Sequence, residues 1–546
     1  MSGLILPTDQ RVTQDFLANL IGSRWEAERA TLQPPTPMQP RPHTEVSEAP
    51  VMGSSQIAGS VMLHSQLEDF SPEAFALDER EQEKKCTTKV GNVTLSLVPS
   101  KRPNALLRLP TELTAMIFEL AQDQSPFGHG RFSSKRYYTE AAVSQVCRQW
   151  RAISIDRRPL WTTFFHRDNR PSVDRPETIL HRLHTYIQRA APREVDLYAV
   201  TGDPKLAALL IDEFTRYATR WRRVIIQIPT GAEACLAHLS EVKFSAMERL
   251  DVFIPHCTNM GPYSAPANSF TAPKLKCVEM DCAAFKLCKP PLSTVTILYL
   301  ESLSVDELPT SATPVLDLSE FMEVVKSAVS LKSLTVVGSC VSGELFGDPP
   351  GTVLTNIEEL ICSSEFVATN FWSKLYAPRL AKVELIGVEL FAIIPDGDTS
   401  YSSDNLPALT NVKFNNVVVT ETWMKRLALN AKNVTHIELE NEDMSEDLWI
   451  GLDHRVLNPL DALAECDATS GPGRYMWPKL TSIFARIEPF GTPQWEAYAP
   501  LLKQRKGCQL LLPEHHVQLW KEEDGENWKE LEEMGRVAGV VYDEAE

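Results

Sequence analysis

Leu380-Ala-Lys-Val-Glu-Leu385 is a six-residue phrase with apolar side chains at its first, fourth and sixth positions. The same spacing returns as Leu409-Thr-Asn-Val-Lys-Phe414 and Val434-Thr-His-Ile-Glu-Leu439. Upstream it occurs as Trp221-x-x-Val224-x-Ile226, Met247-x-x-Leu250-x-Val252 and Leu275-x-x-Val278-x-Met280. It continues as Val295-x-x-Leu298-x-Leu300 and Leu331-x-x-Leu334-x-Val336, and ends as Leu480-x-x-Ile483-x-Ala485. Weaker copies begin at Pro192 and Ile357, and neighbouring starts lie mostly 20–36 residues apart.

Each phrase closes in period-two alternation, the mark of a strand with one buried face. Helical stripes lie between the copies. Leu206, Leu209, Leu210, Phe214 and Tyr217 form one, and Leu318, Phe321, Met322 and Val325 another; Thr420 caps a third that holds Trp423 and Leu427. A strand and a helix per repeat, each burying its apolar face on the next, is the arrangement of a solenoid. An ordinary α/β domain with short strands is the alternative. In the solenoid reading the parallel strands line a concave face. Its outward side chains are Lys276, Glu279, Thr335, Glu384, Lys413, His436 and Glu438. Thr335, Glu384, Lys413, His436 and Glu438 are the candidates for holding a target, since a mixed polar face suits protein recognition better than a small-molecule pocket.

A second signal runs from Leu109 to Trp161. Leu109, Leu113, Met116, Ile117, Leu120 and Ala121 form one apolar face of a helix. Pro110 suits a first helical residue, and Glu112 favours the helix dipole. After a polar insertion, Thr139 and Glu140 open a helix whose stripe is Val143, Val146, Cys147, Trp150 and Ile153. Pro159 stops it, and Leu160-Trp161 follows. A unit this small cannot close a full core, so it leans on the rest of the chain, on a partner, or on both.

Leu109-Pro-x-Glu-Leu113-x-x-x-Ile117-Phe118, Val146-Cys-Arg-x-Trp150-Arg-x-Ile153 and Pro159-Leu-Trp161 together resemble an F-box, in the F-box-like form common in fungal proteins. The resemblance implies docking onto a Skp-type adaptor of a cullin-RING ubiquitin ligase. Leu109, Pro110, Leu113, Ile117, Val143, Cys147, Trp150, Leu160 and Trp161 are then the candidate adaptor-binding residues. The sequence departs from the family pattern between Gln122 and Tyr138, where a short turn is usual. The repeats are similar to degenerate leucine-rich repeats. The Asn or Cys that usually follows the strand is mostly absent, although Asn415, Asn416 and Asn441 stand near it.

The expected order is an amphipathic helix within 1–31, a mostly disordered Pro-rich linker over 32–104, and the F-box-like unit over 105–166. A connecting helix follows over 167–190, then the repeat domain over 191–512 and an acidic tail over 513–546, expected to be mobile from Lys521 except where Trp520 and Trp528 anchor part of it. Thr94–Val98 could form a short strand, a kinked helix is expected near Trp495–Leu502, and Leu510-Leu511-Leu512 reads as the last buried strand. The fold class is therefore α/β, a small helical unit followed by a solenoid of parallel strands and helices.

The 546 residues carry a net charge of −18, which argues against nucleic acid as the main partner. The charge is uneven, with fifteen Lys/Arg against eight Asp/Glu over 101–190 and three against eleven over 514–546. No run of eighteen apolar residues occurs, so no membrane span is expected, and the N-terminus does not read as a secretory signal. Eleven scattered cysteines then read as free thiols of an intracellular protein. Cys277, Cys282 and Cys288 do not have zinc spacing, and His515-His516 reads as polar surface. Phosphate loop, His-Glu-x-x-His and nucleophile-elbow motifs do not occur. No cofactor and no catalytic residue are expected. The leading expectation is a non-enzymatic substrate receptor for an unknown protein target; a repeat scaffold acting without a ligase is the alternative.

Overall fold

The computed structural model describes residues 109–122, 139–167, 175–239, 241–254, 270–302, 315–343, 352–370, 375–390, 405–441, 463, 476–487, 501–503, 505, 507–523 and 525–540. The expected helix within 1–31, the linker over 32–104 with its Thr94–Val98 strand, and the insertion after Gln122 lie outside these residues, as do Trp495 and Tyr498. The chain divides into two compact units, residues 1–153 and 154–546.

The described part of the first unit is helical. It holds α1 (Thr111–Gln122), α2 (Thr139–Val146) and the start of α3 (Arg148–Asp156). The single helix expected over Thr139–Ile153 is thus two. The break falls at Cys147, whose thiol accepts from the amide of Trp150 at 3.4 Å and so caps α3 in place of the usual hydroxyl or carboxylate. In the second unit α3 ends at Asp156, and Pro159 lies in a single 3-10 turn, Arg158–Trp161.

The second unit is built on one parallel sheet of fourteen strands, arranged side by side in chain order. They are β1 (Thr163–Arg167), β2 (Val195–Val200), β3 (Trp221–Gln227), β4 (Arg249–Phe253) and β5 (Cys277–Asp281). Next come β6 (Ile297–Glu301), β7 (Ser333–Val337), β8 (Glu359–Cys362), β9 (Lys382–Ile386) and β10 (Asn411–Asn415). The last are β11 (His436–Asn441), β12 (Ser482–Ile487), β13 (Gln509–Pro513) and β14 (Val537–Val540). Helices fall between them: α4 (Pro176–Ala190), α5 (Pro204–Arg216), α6 (Cys282–Cys288), α7 (Leu318–Ser327), α8 (Glu365–Asn370) and α9 (Glu421–Asn430). The fold is α/β, a small helical region followed by a large, solenoid-like array of parallel strands and helices.

The register explains why the six-residue phrase repeats. Leu334, Leu360, Val383, Val412 and Ile437 are successive partners across five strands, and all are buried. Two residues on, Val336, Cys362, Leu385, Phe414 and Leu439 form a second buried column. An in-register parallel ladder therefore requires the same two apolar positions in every repeat, and a one-residue slip would expose them all. The first apolar residue of the phrase, such as Leu331, Leu380 or Leu409, is buried in the turn before the strand.

Two further periodic features hold the repeats together. The hydroxyls of Thr296, Thr410, Thr435 and Thr481 donate to the carbonyls of Lys276, Ala381, Thr410 and Thr435, at 3.0–3.3 Å. Each threonine occupies the position two before the first buried strand residue, so the bonds form a side-chain rung beside the sheet. After the strand, Gly338, Gly387 and Asn416 share one position and all have positive φ, which glycine and asparagine tolerate best. Side chains also set the helix starts. Asp317 and Glu320 form a capping box on α7, and Thr420 caps α9 by accepting from Trp423.

Three departures from the sequence reading are informative. The weak copy at Pro192 is displaced by two residues. Leu197 and Ala199, not Val195 and Leu197, meet Val224 and Ile226, and the register shifts by one residue between Val195 and Asp196. The strand β1 was not visible as a repeat; it pairs along its whole length with β2. The acidic C-terminal segment was expected to be mobile from Lys521, with Trp520 and Trp528 as anchors of part of it, yet it forms α10 (Glu514–Glu523), α11 (Gly525–Glu533) and β14. Trp520, Trp528, Leu531 and Val537 are buried there, and the two indoles meet edge-on, 5.3 Å between centroids. The Leu510–Leu512 strand is therefore followed by one more repeat, whose acidic residues occupy the outer helix faces.

Candidate functional site

Helix α1 has two apolar sides. Thr114, Ala115 and Phe118 are buried, and Phe118 meets Trp150 edge-on at 5.0 Å. At 100° per residue, Leu113, Met116 and Leu120 lie on the opposite side, with Ile117 at its edge. Leu113, Met116 and Leu120 are 47%, 51% and 58% exposed. These values decide the reading of the stripe: the more hydrophobic side of α1 is the one that the described residues leave uncovered. Val146, at the end of α2, is 46% exposed as well. Scattered exposed apolar residues need no explanation, but an entire helical stripe does.

The buried side is tied together locally. The Thr139 hydroxyl, at the start of α2, donates to the Ala121 carbonyl at 3.4 Å, and the Arg151 guanidinium donates to the Ser144 carbonyl at 2.9 Å. Val143 and Trp150 are buried. In the second unit Leu160 and Trp161 are buried, with the Trp161 indole donating to the Ser154 carbonyl and the Arg189 guanidinium 4.2 Å above the ring.

The expected adaptor-binding residues therefore separate into two groups. Pro110 and Leu113 are exposed, and Leu109, Ile117 and Cys147 are half-buried. Val143, Trp150, Leu160 and Trp161 face inward and act as core, unlike the expectation that they meet a partner. Met116 and Leu120 were assigned to the stripe but not to the surface that would dock, although the same periodicity placed them there.

Residues 106–167 match the F-box-like family. The chain thus carries an F-box-like domain, over a span that holds α1, α2, α3 and β1. No curated protein matches the chain.

The second candidate surface is the sheet face that alternates with the buried columns. Thr335 is half-buried on β7; Glu384, Lys413 and Glu438 are direct partners across β9, β10 and β11. Lys413 Nζ lies 2.8 Å from Glu440, 3.4 Å from Glu438 and 3.7 Å from Glu384. Burial opposes its charge, but the Glu440 hydrogen bond and the three carboxylates outweigh that, and its pKa is raised. Lys382 sits 3.0 Å from Glu359 and 3.7 Å from Glu384, and its pKa is raised by the hydrogen bond to Glu359. His436 is exposed and hydrogen-bonds Thr435 at 2.7 Å, so it stands beside this network and not inside it.

At the other end of the same face, Arg249 pairs with Asp251 at 2.9 Å and Glu279 at 2.7 Å. Asp251, Cys277 and Glu279 each bring a potential metal-ligand atom within 4.8 Å of the others. The donor set does not suit a cation, because the Arg249 guanidinium already occupies the space between the two carboxylates and pairs with both. Burial and the adjoining Asp251 also push the Cys277 thiol up to about 12, so it stays protonated. Cys282 and Cys288 lie in the core on α6. Nearby on β6, Glu301 is buried with its pKa raised to about 7 by desolvation, and it accepts the Tyr299 hydroxyl at 2.8 Å. Sequence reasoning missed Asp251, Glu301 and Glu440 as members of this face, although each occupies an alternate strand position.

Proposed function

We propose that this protein is a non-enzymatic substrate receptor of a cullin-RING ubiquitin ligase. In this reading the F-box-like domain holds a Skp-type adaptor, and the repeat array holds the target protein. The observation that carries the reading is the exposed stripe of Leu113, Met116 and Leu120 on a helix that matches the F-box-like family. Truncating large apolar anchors in such an interface costs about 2–4 kcal/mol each, so a stripe of this size supplies enough affinity for a stable complex.

The chain's contribution is positioning: it fixes a target near a ligase active site that other subunits provide. The open sheet face supports the second half of the proposal, since charged side chains there are held in place by register and ion pairs. No helix among the described residues is long and apolar enough to cross a membrane. The receptor acts inside the cell, where cullin-RING ligases work. Expression of the full chain together with a Skp-type adaptor and a cullin tests the proposal. Purification through a tag on this chain should bring down the adaptor in equimolar amount. An adaptor that stays in the flow-through would leave a scaffold without a ligase.

A further inference from the structure

Cys282 opens α6, directly after β5, and Cys340 closes the turn Gly338-Ser339-Cys340 after β7. They are 58 residues apart in the chain. They also belong to repeats that are not neighbours, because β6 lies between β5 and β7. Both side chains are buried, and they meet. The Cys282 sulfur is 3.4 Å from the Cys340 carbonyl oxygen, and the two thiols lie within hydrogen-bonding reach of each other.

The surroundings suit a bond between the two sulfurs. Each thiol donates to a carbonyl, Cys282 to that of Cys340 and Cys340 to that of Val337 at 2.8 Å. Loss of both thiol protons would orphan neither acceptor. The Cys340 carbonyl also accepts from the Leu316 amide, and the Val337 carbonyl from the Ser302 amide, both at 2.9 Å. The penalty for an unpaired buried acceptor therefore does not arise. The turn that carries Cys340 reaches the surface at Ser339, which is exposed. Burial lifts the Cys340 thiol well above its ordinary range, so little thiolate forms and the thiol reacts slowly. Such a pair answers sustained oxidation, not a brief pulse.

We propose that Cys282 and Cys340 form a reversible disulfide that staples the β5 and β7 repeats across β6. In this step the two thiols give up two protons and two electrons to a peroxide or to a small-molecule disulfide. One sulfur–sulfur bond forms, and the oxidant leaves as two waters or as two thiols. Stacked repeats are coupled through their nearest neighbours. A covalent bond to the next repeat but one suppresses local opening of the repeat in between. On the outward face Tyr299 of β6 pairs with Thr335 of β7, so the staple stiffens the sheet beside a candidate target residue. The disulfide does not depend on the receptor reading.

The test uses the full chain. It is incubated with oxidised glutathione or with hydrogen peroxide, unfolded in excess iodoacetamide, digested and mapped by mass spectrometry. A second sample is oxidised in denaturing urea. We expect the folded sample to yield peptides joined through Cys282 and Cys340 in far higher proportion than the urea sample, and dithiothreitol to return both thiols. Hydrogen exchange of the β6 amides should slow by about tenfold or more in the oxidised protein. The same oxidation of Cys282→Ala or Cys340→Ala should leave β6 exchange unchanged. The wild-type map needs neither variant, so a variant that fails to fold does not weaken it. Recovery of Cys282 and Cys340 as alkylated thiols from the folded sample would overturn the proposal. So would a Cys282–Cys340 bond no more abundant than in urea, since contact in the fold would then play no part. A bond that forms but leaves β6 exchange unchanged would overturn the staple.

Discussion

The indole N–H of Trp161 donates to the carbonyl of Ser154 at 2.7 Å, inside the core of the second unit. Trp221 makes the same bond to Phe214, also seven residues earlier, at 2.8 Å. Each tryptophan stands at the junction where a helix has ended and a strand begins. The last residue of the Pro-Leu-Trp segment is thus a packing residue of the first strand of the array. It rests on Tyr186, whose ring meets it edge-on at 5.0 Å.

The first prediction concerns that junction. Trp161→Ala should cost about 3–5 kcal/mol of stability, through lost apolar contact and a cavity. Trp161→Phe retains most of the ring but leaves the buried Ser154 carbonyl without its donor, at about 1–3 kcal/mol. Denaturant unfolding of the two variants distinguishes a packing role from a docking role: a silent Trp161→Ala would place the side chain in an interface.

A second prediction concerns the strand phase. Leu334 is fully buried, while Glu438 on the other face is 40% exposed at its side chain. Leu334→Ala should cost about 2–5 kcal/mol and loosen neighbouring repeats. Glu438→Gln should stay within about 0.5 kcal/mol, as surface substitutions usually do. Hydrogen exchange on both variants reads the spread as well as the size.

The C-terminal segment gives a third. Since Trp528 is buried against Trp520, Trp528→Ala should destabilise the last repeat by about 3–5 kcal/mol. Truncation after Pro513 should expose β13, with Leu510 and Leu512, and promote association of the truncated chains. Sedimentation of the truncated protein checks this; a monomer as stable as the full chain would mean that the segment is dispensable.

Glu301 gives the fourth, in pH. Burial raises its pKa in the folded state to about 7, from an ordinary value of 4.5. The folded chain therefore holds this proton more tightly than the unfolded one. Its contribution is fully present below about pH 4.5 and is lost as pH rises to about 7. Over that range the loss amounts to about 1–3 kcal/mol. Glu301→Gln keeps an acceptor for the Tyr299 hydroxyl and removes the titration, so it should be more stable than wild type at pH 8 and similar to it at pH 4.5. Urea midpoints at the two pH values provide the measurement, and a wild-type advantage at pH 8 would refute the assignment.

The repeat was legible because in-register parallel strands impose one rule on every copy. Val383, Val412 and Ile437 obey it, and so their outward neighbours Glu384, Lys413 and Glu438 fall where alternation puts them. Less was legible where another interaction sets the position. One copy is displaced by two residues, next to a one-residue register shift between Val195 and Asp196, and a cysteine cap splits one expected helix into two. In the acidic C-terminal segment Trp520 and Trp528 stood out as anchors, but the charges around them, which belong on the outside of a helix, hid the two helices and the last strand. In the F-box-like unit the periodicity of α1 was plain, but periodicity finds an apolar face without saying what covers it. Two small residues, Thr114 and Ala115, let the inner side of α1 pack closely around the one large side chain there, Phe118, while Leu113, Met116 and Leu120 are left for the outside.

That division between the two sides of α1 carries the central claim, and the affinity of a Skp-type adaptor for α1 variants tests it most directly. Leu113→Asp combined with Leu120→Asp changes only exposed side chains, so the melting temperature should hold. With about 2–4 kcal/mol expected from each anchor, titration calorimetry should show adaptor binding weakened by at least about a hundredfold. Wild-type affinity in that double variant would contradict the account, because the stripe would then meet no adaptor.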